Sequence, residues 1–156
     1  MDILNKEIRE FINRTKLGFV ATVCADGTPN LSPKGTTIAW DDDHIVFADI
    51  HSPGTVKNLL SNPAIEINVV DIFTRKGYRL KGVAEVHANG VIYDEVVQFY
   101  KSIGAEYKID HIVVAKVNFI SPICSPAYDR GLSEEEITNR WITYWDEVHK
   151  SRMKTV

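Results

Sequence analysis

The stretch LGFVATVCADGTPNLSPKG, residues 17–35, decides the fold. Leu17 to Val23 is rich in β-branched and aromatic side chains, Asp26-Gly27 is a hairpin turn signal, and strand character resumes from Pro29 to Trp40. Two antiparallel strands joined by a tight turn are expected here. The chain repeats the theme on either side of later breaks. Asp41, Asp42 and Asp43 form a polar turn before a third strand from His44 to Ile50, with Ile45, Val46 and Phe47 suited to burial. Three neighbouring carboxylates fit a solvated hairpin turn better than a metal site. Ile65, Ile67 and Val69 alternate with Glu66 and Asn68, and Tyr78, Leu80, Gly82, Ala84 and Val86 continue the period of two. A last strand runs from Ile112 to Ile120, which makes six.

Helices fall between the strands. Asp2 is expected to cap a first helix whose apolar positions Ile3, Leu4, Ile8, Phe11 and Ile12 recur at helical spacing, ending before Lys16. Ser52-Pro53 places a hydroxyl at the N-cap and proline at the first helical position of a short helix that Asn62-Pro63 stops. Asn89 is expected to cap a third helix carrying Ile92, Val96, Val97 and Tyr100 inward, with Gly104 at its end. Beyond a loop from Ser121 to Gly131, Ser133 and Glu136 make a capping box for a terminal helix reaching about Lys150. Ile137, Trp141, Tyr144, Trp145 and Val148 share one face of it, an apolar surface that must pack on the strands or on a second subunit.

Composition narrows the function. At 156 residues the chain is expected to form a single domain, 1–156, with the strand-rich body at about 16–122 and a C-terminal loop and helix at 123–156. A formal net charge of −3 and the lack of a Lys/Arg run argue against nucleic acid as a partner. The absence of a long apolar run or a signal-peptide pattern implies no membrane and a cytoplasmic location. Cys24 and Cys124 have neither disulfide-framework nor zinc spacing and are expected to be reduced, mostly buried thiols.

No triad order, metal-ligand spacing, Walker motif or dinucleotide glycine fingerprint is present, so any chemistry is expected to come from a cofactor. The strongest constellation joins the second strand to the short helix. Alternation puts Ser32, Lys34 and Thr36 on one strand face, while Thr55, Lys57 and Asn58 lie in the first turns of the helix. Hydroxyls, lysine charge and the N–H groups at a helix start suit a phosphate.

The ordered set of residues 17–34, then Lys57-Asn58-Leu59-Leu60, Asn62-Pro63 and Arg79-Leu80-Lys81-Gly82-Val83-Ala84-Glu85, resembles the pyridoxamine 5'-phosphate oxidase-like, flavin-reductase-like FMN-binding family over roughly residues 10 to 120. The resemblance implies a six-stranded antiparallel split β-barrel of Greek-key type with peripheral helices, forming a homodimer with FMN at the subunit interface. By similarity, Ser32, Pro33, Lys34 and Gly35 with Thr55, Lys57 and Asn58 hold the phosphate and ribityl chain. Ala48, Asp49 and Ile50 line the isoalloxazine ring through their backbone, His51 stands near the flavin edge, and Arg79 or Lys81 completes the phosphate site. Tyr128, Asp129 and Arg130 approach the flavin of the partner subunit.

Members that oxidise pyridoxamine phosphate carry an arginine-rich C-terminal signature, which the tail from Trp145 to Val156 lacks. The resemblance therefore implies a flavin reductase-like oxidoreductase working with a small-molecule electron donor or acceptor. Two alternatives share the fold: a non-catalytic FMN carrier, and a barrel that houses a deazaflavin or haem. No catalytic residue is identified by the sequence.

Overall fold

The first helix starts where an acceptor side chain meets its free amides: Asn5 Oδ1 accepts from Ile8 N at 3.0 Å, opening α1 (Lys6–Thr15). Asp2, the expected cap, lies outside the residues 3–154 that the computed structural model describes. Leu4, Ile8 and Ile12 are buried, as their spacing requires. Seven strands follow rather than six: β1 (Gly18–Val23), β2 (Pro29–Lys34), β3 (Ile38–Ala39), β4 (His44–Asp49), β5 (Ala64–Val70), β6 (Lys76–His87) and β7 (His111–Cys124). They form one sheet in the order β2-β1-β5-β6-β7-β4-β3, a split β-barrel fold. The pairings β1/β2, β1/β5, β3/β4 and β4/β7 are antiparallel.

The extra strand comes from a break in the expected Pro29 to Trp40 run. The chain turns at Gly35 to Thr37, where Thr37 donates to the Lys34 carbonyl from its amide (3.4 Å) and its hydroxyl (2.8 Å). β2 therefore pairs with β1, whereas β3 pairs with β4 at the other end of the sheet order.

The remaining helices are α2 (Pro53–Ser61), α3 (Val91–Ser102) and α4 (Glu134–Met153). α3 begins at Gly90, whose φ of 95° is a conformation that favours glycine, and not on a cap from Asn89. Its inward face is Val96 and Tyr100, while Ile92 is exposed.

The chain divides into two compact units, Met1–Val69 with Arg79–Ser121, and Val70–Tyr78 with Pro122–Val156. In the first, Val46, Ala48, Val96, Tyr100 and Ile112 anchor a buried cluster. Gly82 is there because backbone approaches it: a Cβ would stand 2.1 Å from the Lys116 carbonyl oxygen. In the second, the expected capping box is present, Ser133 accepting from Glu136 N and Glu136 from Ser133 N. Lys76 pairs with Glu134 at 2.5 Å, and the Arg75 guanidinium lies 3.5 Å from the centre of the Trp141 ring. Cys124 is exposed and Cys24 half-buried, so neither is the buried thiol expected.

Candidate functional site

The turn that ends β2 builds the site. Ser32 and Lys34 share a face of β2, opposite Val20 and Gly18 of β1. Thr36, expected to continue that alternation, reaches β4 through the turn instead: its hydroxyl accepts from Ala48 N at 2.9 Å and donates to Ala48 O at 3.3 Å. Pro33, Lys34, Gly35 and Thr36 thus face Ala48, Ile50 and Ser52 across a cleft of about 330 Å³, with Tyr107 at its side.

Lys34 is the unusual group. It is 6% exposed, and its ammonium donates to the Ser52 hydroxyl at 2.7 Å. Among the described residues no carboxylate lies within ion-pair distance of it, and burial holds its pKa below the ordinary lysine range, with Asp49 opposing in part.

Ser52 occupies the N-cap position of α2 but makes no side-chain cap, because its hydroxyl serves Lys34. Pro53 has no N–H, and the first helical bond is Val56 N to Ser52 O at 3.3 Å. The amides of Gly54 and Thr55 are therefore left without a cap, at the end of the helix where its dipole favours an anion. Thr55, 4% exposed, places its hydroxyl 3.4 Å from that of Ser32. Ser32 with Thr55 and Lys34 with Ser52 thus form a row of two pairs, three hydroxyls and one ammonium beside uncapped amides, a donor set suited to a phosphate monoester.

Asp49 holds this row from behind. It is 4% exposed; Oδ1 accepts from Ser52 N at 2.6 Å, and Oδ2 lies 3.0 Å from Nδ1 of His111, its cross-strand partner. His51 is exposed near Asp110, whose carboxyl is held below the usual range first by its bond to Lys108 and in smaller part by His111 and His51.

The other expected residues lie elsewhere in the first unit. Asn58 is buried and donates to the Thr22 hydroxyl at 3.0 Å, fastening α2 to β1. Lys57 is exposed and lines a separate cavity of about 370 Å³ with Cys24, Asp26 and Thr28. Arg79 and Lys81 act together, as their alternation predicts, but on Glu66, at 3.0 and 3.3 Å. Glu66 faces Ala21, and Ala21 faces Leu31, so this charged group is on the sheet face opposite Ser32 and Lys34. In the second unit, the Tyr128 hydroxyl donates to Thr74 O at 2.7 Å and Lys76 lies over its ring.

Sequence reasoning missed Tyr107 and His111. Tyr107 sits in an irregular segment with no periodicity to orient it. His111 is recognised only through the register that sets it opposite Asp49.

The sequence model of the family described as Pyridoxamine 5'-phosphate oxidase matches residues 4–122. No curated protein matches. Among solved structures, HupZ of Group A Streptococcus is 28% identical, with a TM-score of 0.70 over 79% of this chain and 96% of that one. An FMN-binding protein of Syntrophomonas wolfei is 18% identical, with a TM-score of 0.66 over 78% of this chain and 87% of that one. An F420 reductase is 23% identical, with a TM-score of 0.58 over 75% and 98%. At their identities the last two show likeness of fold alone. Among the described residues no helix is long and apolar enough to cross a membrane.

Proposed function

The chain belongs to the pyridoxamine 5'-phosphate oxidase family, and on that footing we propose that it is a cytoplasmic, homodimeric FMN-dependent oxidoreductase of flavin reductase-like type. The observation that carries this reading is Lys34: a buried ammonium with a hydroxyl partner and no carboxylate in contact, beside the uncapped amides of α2. A charge in that setting is well served by a phosphate and poorly served by the protein alone. The donor row fits the phosphate end of FMN, and the wall at Ala48 and Ile50 supplies backbone and apolar surface for a ring system. Asp49 keeps Ser52 in place through the amide, which leaves the Ser52 hydroxyl to orient Lys34.

When bound, FMN supplies reversible hydride and electron transfer. The protein's part is to bind, orient and shield. Arg79 and Lys81 lie on the other face of the sheet, paired with Glu66, so within one subunit they do not complete this phosphate site. The F420 reductase likeness makes a deazaflavin the second reading.

An absorbance spectrum of the purified protein, with released cofactor identified by chromatography, tests the assignment. FMN in the released fraction, or tight uptake of added FMN followed by oxidation of NADH or NADPH, is the expected result. Uptake of F420 with indifference to FMN would transfer the site to the deazaflavin. Tight FMN binding without nicotinamide turnover would make the protein a carrier.

A further inference from the structure

Away from the phosphate cradle, the end of α1, the short edge strand β3 and α3 border a third cavity, of about 450 Å³. That volume lies within the range of roughly 300–1,000 Å³ typical of small-molecule pockets. Its walls are aromatic and aliphatic. Trp40 and Phe99 meet edge to face with centroids 5.5 Å apart, and Ile38 and Ile103 complete the apolar lining.

The polar groups on the lining have unequal freedom. Asn13 is held by the edge strand, accepting from Ala39 N at 2.8 Å and donating to Ala39 O at 3.3 Å. Lys16 is the one charged residue on the lining, and no carboxylate faces it there. It forms no ion pair among the described residues. Its backbone is also out of the ordinary: at the C-cap of α1 it has φ 56°, the left-handed conformation that glycine usually takes. This exposed lysine lines an aromatic cavity from a position where glycine would relieve the backbone.

We propose that this cavity is a binding site for a small aromatic monocarboxylate, with the ring against Trp40 and Phe99 and the carboxylate at Lys16. Aromatic walls select a flat ring through offset and edge contacts. The single unpaired cation selects one negative charge. The site is separate from the cradle and does not depend on which cofactor that cradle takes.

The test is ¹H–¹⁵N NMR on the full chain, titrated with naphthalene-2-carboxylate and, separately, with the uncharged naphthalene-2-carboxamide. The acid is expected to shift the Trp40 indole, Lys16 and Phe99 signals saturably. The amide should bind about three- to fivefold more weakly, the scale of a solvent-exposed ion pair. Lys16→Gln should erase that preference while keeping ring binding, and Ile103→Trp, at an exposed position, should fill the cavity and abolish both. Three results would overturn the proposal: no saturable shift by either probe, equal affinity for acid and amide in the unaltered protein, or shifts centred on Ser32, Lys34 and Thr55.

Discussion

Replacing Lys34 by methionine removes one buried ammonium while keeping most of the side chain's length and apolar stem. Its neighbours stay satisfied: Ser52 N still donates to Asp49, and Asp49 still meets His111. Stability should therefore change by no more than about 1 kcal/mol, since the desolvation cost of the charge and its partial compensation by Asp49 disappear together. Binding should change far more. A hydrogen bond to a charged group contributes about 1.5–3 kcal/mol, and at 6% exposure Lys34 is little screened by solvent. Loss of FMN affinity by roughly ten- to a hundredfold follows. Riboflavin, which has the same ring without the phosphate, should bind the two proteins alike, so the preference for FMN over riboflavin collapses in the variant. The charge also sets a pH signature. Burial lowers the Lys34 pKa, so the charged form is present at low pH and is lost as pH rises through a value below the ordinary 10.5. FMN affinity of the unaltered protein should fall across that range, and in Lys34→Met it should be flat. Isothermal titration with both ligands at several pH values measures all of this. If the variant binds FMN as tightly as the parent, or loses FMN and riboflavin equally, Lys34 does not meet the phosphate.

Two further outcomes concern the scaffold of the first unit. Tyr100, 2% exposed, donates its hydroxyl to Thr36 O at 2.5 Å, so Tyr100→Phe should cost about 1–3 kcal/mol by leaving that carbonyl without its donor. Burial holds the phenol's pKa well above 10, so the native state keeps its proton where the unfolded chain releases it. Tyr100 thus stabilises fully below pH 10, and this contribution declines as pH rises above it. Urea unfolding at pH 8 and above 10 should show the decline in the parent and a smaller one in Tyr100→Phe. Gly82→Ala would set a Cβ 2.1 Å from the Lys116 carbonyl, and backbone cannot rotate away as a side chain can. A loss of about 3 kcal/mol, seen as a Tm roughly 6–12 °C lower, is expected; a change within 2 °C would mean that the close approach at Lys116 opens with little resistance.

Local chemistry that acts within a few residues was legible in the sequence. Asp26-Gly27 announces the β1/β2 hairpin, with Gly27 at φ 83°, and Ser133 with Glu136 announces α4. What escaped depends on partners distant in the chain. Pro29 to Trp40 reads as one long strand although Pro33 and Gly35 interrupt its strand propensity. The break comes from the Thr36 hydroxyl spanning the Ala48 peptide groups and from buried Thr37 closing on Lys34 O. Ser52 shows the same limit in miniature: it stands where an N-cap serine should, but a lysine eighteen residues earlier takes its hydroxyl. For the site, alternation rightly set Ser32 and Lys34 on one face and Arg79 beside Lys81. It gave no warning that the two groups lie on opposite faces of the sheet, because that follows from the pairing of β1 with β5.

The misread strand and the candidate site are one event. The turn at residues 35–37 carries the chain from one end of the sheet order to the other, and in doing so leaves Lys34 pointing into the cleft at the start of α2. A fold needing only that turn would be served at least as well by an apolar residue at position 34, since burying an ammonium without a contacting carboxylate carries a desolvation cost that Asp49 offsets only in part. Likewise, a helix needing only to begin would keep the Ser52 hydroxyl for its own amides, a cap that contributes about 1 kcal/mol. Both departures disfavour the unliganded protein, and both turn hydrogen-bond donors toward the same cleft. A phosphate bound there offsets the two together, which is why the strand that local propensity fails to describe is the place to look for the ligand.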